Sequence, residues 1–234
     1  MMSETISSET QTQPKIIVVA VGGGAINAQN HMIDCGMQSF DFIAVGSDKY
    51  GLRYSKASTK ILIGANRPLG LGQLPVSACR ELAMEARDNI KRSLDGSDII
   101  FVVTCMGGNT GSGAASVVAS CAREIGALTI AVVTKPFTFE GPQRRKRTTT
   151  GLNELKENVD ALITISNDIL LRLIDKKTPI TTAFQVSNDA IYRSIQQISE
   201  LLSIPGLANI DFKDVQPPRL NGEESDNEDD SILG

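Results

Sequence analysis

Histidine and cysteine are scarce in this sequence, and the few present do not form a metal-binding motif. The chain has one histidine, His31, and four cysteines, none of them spaced as a Cys-x-x-Cys pair. Zinc sites usually have closely spaced cysteines and histidines, and disulfide frameworks are typical of short, cysteine-rich secreted chains. We therefore predict reduced, mostly buried thiols in a cytosolic protein and assign no chemistry to His31, which lies in a helical pattern. The four cysteines are Cys35, Cys79, Cys105 and Cys121.

Long hydrophobic runs and an excess of positive charge are also missing. No apolar run reaches the roughly 18 residues that a membrane span needs, and residues 1–14 lack the regions of a signal peptide. The formal net charge is −4, which argues against a broad nucleic-acid-binding face. These absences predict a cytoplasmic protein with no direct membrane insertion and no nucleic-acid partner.

Short apolar runs alternate with helical patterns along most of the chain. Near-continuous apolar strands are typical of a parallel sheet covered on both faces. The alternation predicts an α/β fold with a doubly wound, mostly parallel, Rossmann-like sheet and a long C-terminal core helix near 181–203. The predicted strands are Lys15–Val21, Asp41–Val45, Lys60–Ile63, Asp98–Cys105, Ala127–Thr134 and Asp160–Ile165.

One globular domain at 15–215 is the simplest organisation for these elements. The polar segment 1–14 is predicted to be a disordered leader, and the acidic segment 216–234 a disordered tail. The remaining helices are predicted near Ile26–Cys35, Val76–Leu94, Ala114–Ile125, Arg144–Asn158 and Asn167–Asp175.

Three glycines, Gly22, Gly23 and Gly24, follow the first predicted strand. Glycine lets the backbone approach an anion, and the next helix offers its N-terminal N–H groups to phosphate. Alone, this pattern also fits a tight turn or part of a dinucleotide site. The GxGxxG motif of dinucleotide sites is incomplete, because Asn27 stands at its third glycine.

A second glycine loop, GGNTGSG at Gly107–Gly113, follows the strand that ends at Cys105. Its glycines can form a nest of N–H donors, and the hydroxyls of Thr110 and Ser112 can reach phosphate oxygens or a magnesium shell. Two glycine loops at neighbouring strand ends predict a cradle for more than one phosphate. A dinucleotide-dependent oxidoreductase fits the α/β order but does not explain this second loop.

GGNTGSG resembles the GGGTGTG signature of the tubulin/FtsZ family, with Asn109 and Ser112 as the differences. VVTKPFTFEG at 132–141 and NIDFKDV at 209–215 resemble two further motifs of that family, in the same order. The similarity covers about 15–215 and is close to bacterial FtsZ, the cell-division protein. It implies a GTP- or GDP-binding domain of the tubulin/FtsZ GTPase type that takes part in cell division and filament formation.

The resemblance also implies roles for single residues. Glu140 matches the family's ribose-binding glutamate, and Arg144 matches a basic residue near the phosphates. Four residues match positions around the guanine, where an aromatic ring can stack and asparagine can bond a base edge: Asn27, Asn167, Phe184 and Asn188. Phe184 could instead be a core aromatic of the long helix. The implied phosphate loops contain Gly22, Gly23, Gly24, Gly107, Gly108, Thr110, Gly111, Ser112 and Gly113.

Asp211 and Asp214 match the family's catalytic loop, which acts on the nucleotide of a neighbouring subunit. There they would orient or polarise the attacking water, with Mg²⁺ neutralising the phosphates. The expected partners are further copies of this chain, in an oligomer or filament, or full-length FtsZ. The alternative is a non-catalytic module that binds guanine nucleotide and caps or regulates FtsZ filaments. By composition alone, the two aspartates would only cap a turn.

Departures from the family bear on that choice. Gly46 stands where the family has asparagine, and Arg67–Ala78 lacks the Ala-Gly-Gly element of the γ-phosphate-sensing loop. FtsZ continues after the catalytic loop into a second domain, whereas only nineteen residues follow Val215 here. We expect the second FtsZ domain to be absent, which favours the non-catalytic alternative.

Overall fold

Six parallel strands form one sheet in the computed structural model, which describes residues 14–37, 39–65, 74–172, 174–175 and 177–202. In chain order the strands are β1 (Ile16–Val21), β2 (Asp41–Gly46), β3 (Thr59–Leu62), β4 (Ile99–Cys105), β5 (Leu128–Lys135) and β6 (Ala161–Ser166). Their order across the sheet is β3-β2-β1-β4-β5-β6. The winding direction reverses between β1 and β4, and ligands of such sheets bind beyond the strand ends at this point.

Helices cover both faces of the sheet. They are α1 (Gly23–Asp34), α2 (Lys49–Arg53), α3 (Val76–Glu85), α4 (Arg87–Leu94), α5 (Asn109–Glu124), α6 (Pro142–Lys156), α7 (Asn167–Leu171) and α8 (Ile180–Leu202), with a 3₁₀ turn at Thr138–Glu140. Buried residues of α3, α4, α5 and α6 share one hydrophobic cluster, and those of α1 and α8 share another. No helix in the part of the chain that the structure describes has both the length and the hydropathy of a membrane span.

The central strands are buried on both faces, which explains their unbroken apolar sequences. Val19 and Val102 pair in register and belong to the cluster under α5, whereas Val18 and Phe101 belong to the cluster under α1. Since successive side chains of a strand point to opposite faces, both sets of positions must be apolar. The doubly wound, Rossmann-like fold with a long C-terminal helix is therefore confirmed.

Two helices begin earlier than predicted, because the glycine loops themselves form their first turns. α1 begins at Gly23 rather than Ile26, and α5 begins at Asn109 rather than Ala114. The single helix predicted at 76–94 is two helices that meet at Ala86. α2 and the 3₁₀ turn were not predicted. The residues at 203–234, with the acidic tail, and nearly all of the leader lie outside the described residues.

The thiols only partly match the prediction that most are buried. All four cysteines are free; Cys79 and Cys121 are buried, Cys105 is partly exposed and Cys35 is exposed. Cys35 caps the C-terminal end of α1 and is exposed, so the helical pattern around it did not imply burial.

Candidate functional site

A cavity of about 930 Å³ opens beyond the carboxyl ends of β1 and β4, and we name it the glycine cavity. Its walls include Gly22–Gly24 at the start of α1 and Gly107–Gly111 at the start of α5. The first N–H groups of a helix have no carbonyl partner within it, and the helix dipole is positive at that end. Two helix N-termini that enter one cavity therefore form a site for an anion.

Several glycines of the two loops lie too close to the strand ends, or have backbone angles too unusual, to carry side chains. Gly22 and Gly107 have φ values of 88° and 89°, in the left-handed region that favours glycine. A Cβ on Gly24 would lie 2.9 Å from Cys105 Cβ, and one on Gly111 would overlap the hydroxyl oxygen of Thr104. Only glycine thus allows the two loops to approach the strands, and each other, this closely.

Two of the predicted phosphate-loop residues do not line the cavity. The hydroxyl of Ser112 is buried and accepts a hydrogen bond from the N–H of Gly107 at 3.0 Å, so it holds the loop's shape. A Cβ on Gly113 would overlap the carbonyl oxygen of Val76, so this glycine allows α3 to pack directly on α5. In this structure both residues support the loop from behind.

The glycine cavity is predominantly positive. Its lining includes three cations, Lys49, Arg144 and Arg147, and one carboxylate, Asp48. The Asp48 carboxylate caps α2 by accepting from the N–H groups of Tyr50 and Gly51, at 2.9 and 3.0 Å. This charge pattern favours an anionic ligand, although the whole chain is acidic.

Thiols and hydroxyls complete the lining. Burial raises the pKa values of the Cys79 and Cys105 thiols, so both stay neutral and do not repel an anion. The hydroxyl oxygens of Thr110 and Ser47 lie 2.7 Å apart and share a hydrogen bond. That bond links the first turn of α5 to the residues that follow β2.

Residues predicted to bind the base and ribose form a second group, the Phe184 patch, consisting of Glu140, Asn167 and Phe184. The Phe184 ring is 43% exposed and meets the Phe137 ring edge-on, with centroids 5.3 Å apart. Glu140 accepts from the N–H of Phe137 at 2.8 Å, which ties it to the same aromatic residue. Phe184 is therefore a surface aromatic and not a core residue of α8.

Hydrogen bonds already hold the other members of the Phe184 patch. Asn167 is buried, and its Oδ1 accepts from the hydroxyl of Ser187 at 2.9 Å. Glu140 forms an ion pair with Arg144, which also lines the glycine cavity and so connects the two groups. Asn27 is exposed on α1 and Asn188 is half-buried on α8, and neither lines the cavity.

The donor groups present suit a magnesium ion that is bound mainly by phosphates of a nucleotide. They do not suit a metal site built from protein ligands alone. Among the described residues there is no cluster of three or more histidine, cysteine or carboxylate side chains able to hold a metal. Magnesium bound with a nucleotide keeps several waters and needs only one or two protein groups besides the phosphates. Thr110 and Ser47 could supply such groups from the cavity wall.

Several lining residues had not been predicted as site residues. Ser47, Asp48 and Lys49 follow β2, whose carboxyl end lies beside that of β1. Arg147 lies one helical turn after Arg144 and is brought to the cavity by that spacing. The order of the strands in the sheet and the three-residue spacing from Arg144 would have identified these residues. Asp211 and Asp214 lie outside the described residues, so their role stays a prediction.

Comparison with known proteins identifies the family and the fold. The model of the "Tubulin/FtsZ family, GTPase domain" matches residues 15–175. An FtsZ dimer from M. jannaschii is 37% identical with a TM-score of 0.77, over 87% of this chain and 60% of that one. A mutant FtsZ from M. jannaschii is 38% identical with a TM-score of 0.77, over 88% and 62%.

A more distant structure shares the fold alone. A GTPγS-bound protofilament of CetZ2 from Haloferax volcanii is 20% identical with a TM-score of 0.72, over 82% of this chain and 60% of that one. The chain thus spans about three fifths of the length of these proteins. Since the family model covers more than half of its residues, the chain belongs to the tubulin/FtsZ family.

Proposed function

We propose that this chain is an FtsZ-like protein that binds GTP and GDP, with the phosphates at the first turns of α1 and α5. The observation that carries the proposal is the entry of two helix N-termini into one positive cavity at the switch point of the sheet. Backbone N–H groups there would bind phosphate oxygens, and Arg144 would add a charge-assisted contact.

The Phe184 patch is the proposed place for the nucleoside. Glu140 follows β5 and Asn167 follows β6, strands that lie on one side of β4 in the sheet, and Phe184 reaches them from α8. Phe184 would stack on the purine, Asn167 would bond the base edge, and Glu140 would accept from ribose hydroxyls. Asn27 and Asn188 are the further base contacts that the family resemblance implies.

Ligand-dependent melting tests nucleotide binding. A ligand that binds only the native state adds RT ln(1 + [L]/Kd), about 2.7 kcal/mol at one hundred times Kd. We expect GTP and GDP to raise the melting temperature, and ATP and NAD to have little effect. A protein stabilised by NAD, or by no guanine nucleotide at all, would be incompatible with the proposal.

Hydrolysis is proposed to need a second subunit. In the described part of the chain, Asp48 is the one carboxylate that lines the cavity, and backbone N–H groups occupy both of its oxygens. Among the described residues, the cavity thus holds no carboxylate beside the phosphates that is free of a structural role. We propose that Asp211 and Asp214 of a neighbouring copy orient the water, with Mg²⁺ on the phosphates, in a filament that acts in cell division in the cytoplasm.

Phosphate release at rising protein concentration tests this shared site. The rate per subunit should increase with concentration, because only a subunit contact completes the site. The variant Asp214→Ala should lose this activity and keep its affinity for GTP. A rate per subunit that is constant down to nanomolar protein would show that the monomer's site is complete.

The same occupied carboxylate also supports the second candidate, a non-catalytic module that caps or regulates filaments of full-length FtsZ. Such a module would bind guanine nucleotide and release no phosphate at any concentration. Pelleting assays with full-length FtsZ separate the two candidates, since a capping module shortens filaments that a co-assembling GTPase would join.

A further inference from the structure

We propose that Arg147 recognises the terminal phosphate of the bound nucleotide and thereby sets the preference for GTP over GDP. The inference rests on the proposed guanine-nucleotide site and assigns a specificity-determining residue within it. Neither the sequence motifs nor the family resemblance had pointed to this arginine.

Helical register directs Arg147 towards the first turn of α5. Arg147, Gly151 and Glu154 are spaced by four and three residues and share one face of α6. A Cβ on Gly151 would lie 3.0 Å from Ser112 Cβ, and Glu154 forms an ion pair with Arg80 of α3. This face thus rests on α5 and α3, and Arg147 lies one turn nearer the glycine cavity, which it lines.

The Arg147 guanidinium is unpaired within the described part of the chain. Arg144 is held by Glu140 and Arg80 by Glu154, but no hydrogen bond or ion pair joins Arg147 to any described residue. It is half-buried and ends the run of four cations Arg144–Arg147, one turn after Arg144, where the like charges disfavour one another. A bound anion would compensate for this unfavourable position.

The position of Arg147 favours the last phosphate of the chain over the first. The Phe184 patch follows β5 and β6, whereas the glycine cavity extends to residues after β2 and β3, such as Ser47 and Ile63, and to Cys79 of α3. Phosphates that start from a nucleoside in the patch would pass the glycine loops and end beside α3. Arg147 shares a face of α6 with Glu154, the ion-pair partner of Arg80 in α3, so a triphosphate would reach it and a diphosphate would end earlier.

Guanidinium chemistry suits this task. Its planar, permanently charged donors match phosphate oxygens with two parallel hydrogen bonds. Arg145 provides the matched control, because it is exposed on the same helix and does not line the cavity. Removing either charge lowers the positive charge of α6 by one, but only Arg147 lines the cavity and can contact the terminal phosphate.

Calorimetric titration of the whole chain with GTPγS and with GDP tests the proposal. Arg147→Met keeps the apolar stem and should weaken GTPγS binding by about ten-fold or more, the value of one charge-assisted contact. GDP binding should change by less than about three-fold. Arg145→Met should leave the ratio of the two affinities as in the wild type. Arg147→Gln serves as a second variant if the methionine variant does not fold.

Loss of affinity for both nucleotides in equal measure, or no loss, would overturn the role of Arg147. The role would also be overturned if Arg145→Met changed the ratio of GTPγS to GDP affinity as much as Arg147→Met does. The loss of one positive charge anywhere on α6 would then explain the effect. These outcomes leave nucleotide binding itself intact. A wild-type chain that binds neither GTPγS nor GDP would instead remove the proposed function.

Discussion

The glycine loops of the cavity present backbone N–H groups, whereas the Phe184 patch consists of side chains. In the cavity, close packing of glycines against strand ends fixes the positions of the N–H groups, and loops such as Gly107–Gly111 cannot move without breaking that packing. In the patch, Asn167 is held by a hydrogen bond from Ser187, Glu140 by one hydrogen bond and one ion pair, and Phe184 is partly exposed.

This difference separates folding from binding. A substitution on the side of the glycine loops that packs against the protein should lower stability. One on the side that faces the cavity should weaken only phosphate binding. One in the Phe184 patch should lower both stability and nucleotide affinity, each to a smaller extent. The predictions below test this division, in order of decreasing expected effect.

Gly113→Val should destabilise the fold most. Its side chain would overlap the carbonyl oxygen of Val76 and press on Cys79 Cβ, 3.1 Å from the added Cβ. Overpacking of this kind costs about 3 kcal/mol at the upper end of its usual range. Urea unfolding without nucleotide measures the loss.

Gly23→Ala is the control, because a Cβ there meets no atom within 4 Å. Its free energy of unfolding should change by less than about 1 kcal/mol. If Gly113→Val were as stable as the wild type, α3 could not lie as close to α5 as the structure places it.

Gly108→Val should separate binding from folding. Its φ of −76° suits any residue, and the nearest atom to an added Cβ is the carbonyl oxygen of Cys105, at 3.7 Å. The side chain would occupy the cavity, so the stabilisation of about 2.7 kcal/mol by GTP at one hundred times Kd should disappear. The melting temperature without nucleotide should stay close to that of the wild type.

A GTP-induced shift of normal size in Gly108→Val would mean that the phosphates lie elsewhere. A large fall in melting temperature without nucleotide would instead show that the front of the loop contributes to folding, as its back does. Either result would end the division between the two sides of the glycine loops.

The sequence predicted the sheet and the glycine cavity well because both depend on local patterns. Strands β1 and β4 are buried on both faces, so their sequences are continuously apolar and easy to recognise. Two glycine runs after neighbouring strands of this kind indicate an anion site more strongly than either run alone. The helix starts at Gly23 and Asn109 were placed too late, because glycine weakens the helical pattern although tertiary contacts hold the turn.

Residues brought in by other elements were harder to predict. Lys49 follows β2 and Arg147 lies on α6, so each reaches the cavity through the order of strands or the packing of helices. The break between α3 and α4 at Ala86 has no proline or glycine to mark it. Such features depend on long-range contacts, which composition and periodicity do not contain.

Phe184→Ala should weaken nucleotide binding more than it weakens the fold. Base–aromatic stacking contributes about 1–3 kcal/mol, so we expect GDP affinity to fall roughly ten-fold or more. The edge-on contact with Phe137 contributes about 1 kcal/mol or less to stability, given that the ring is 43% exposed. Calorimetric titration and urea unfolding measure the two effects.

Phe139→Ala is the matched control for that change. Phe139 also packs on Phe137, with ring centroids 4.8 Å apart, and is 57% exposed, but it has no proposed contact with the base. It should lose similar stability and keep its nucleotide affinity. Equal losses of affinity in both variants would indicate that the rings act only by holding Phe137.

The smallest effect is expected from Ser187→Ala, which removes the donor to Asn167 and leaves the Asn167 Oδ1 buried without that partner. An unsatisfied buried acceptor costs about 1–3 kcal/mol, and we expect the lower end because only one hydrogen bond is lost. Ser194→Ala on the same helix should lower stability less, since the Ser194 hydroxyl donates only to the helix carbonyl of Ala190.

If Asn167 contacts the base, its less fixed position in Ser187→Ala should also lower GDP affinity. We expect a loss of about two- to five-fold, smaller than the loss of one full hydrogen bond would give. Unchanged affinity together with lost stability would place Asn167 in the structural support of α7 and remove it from the base contacts.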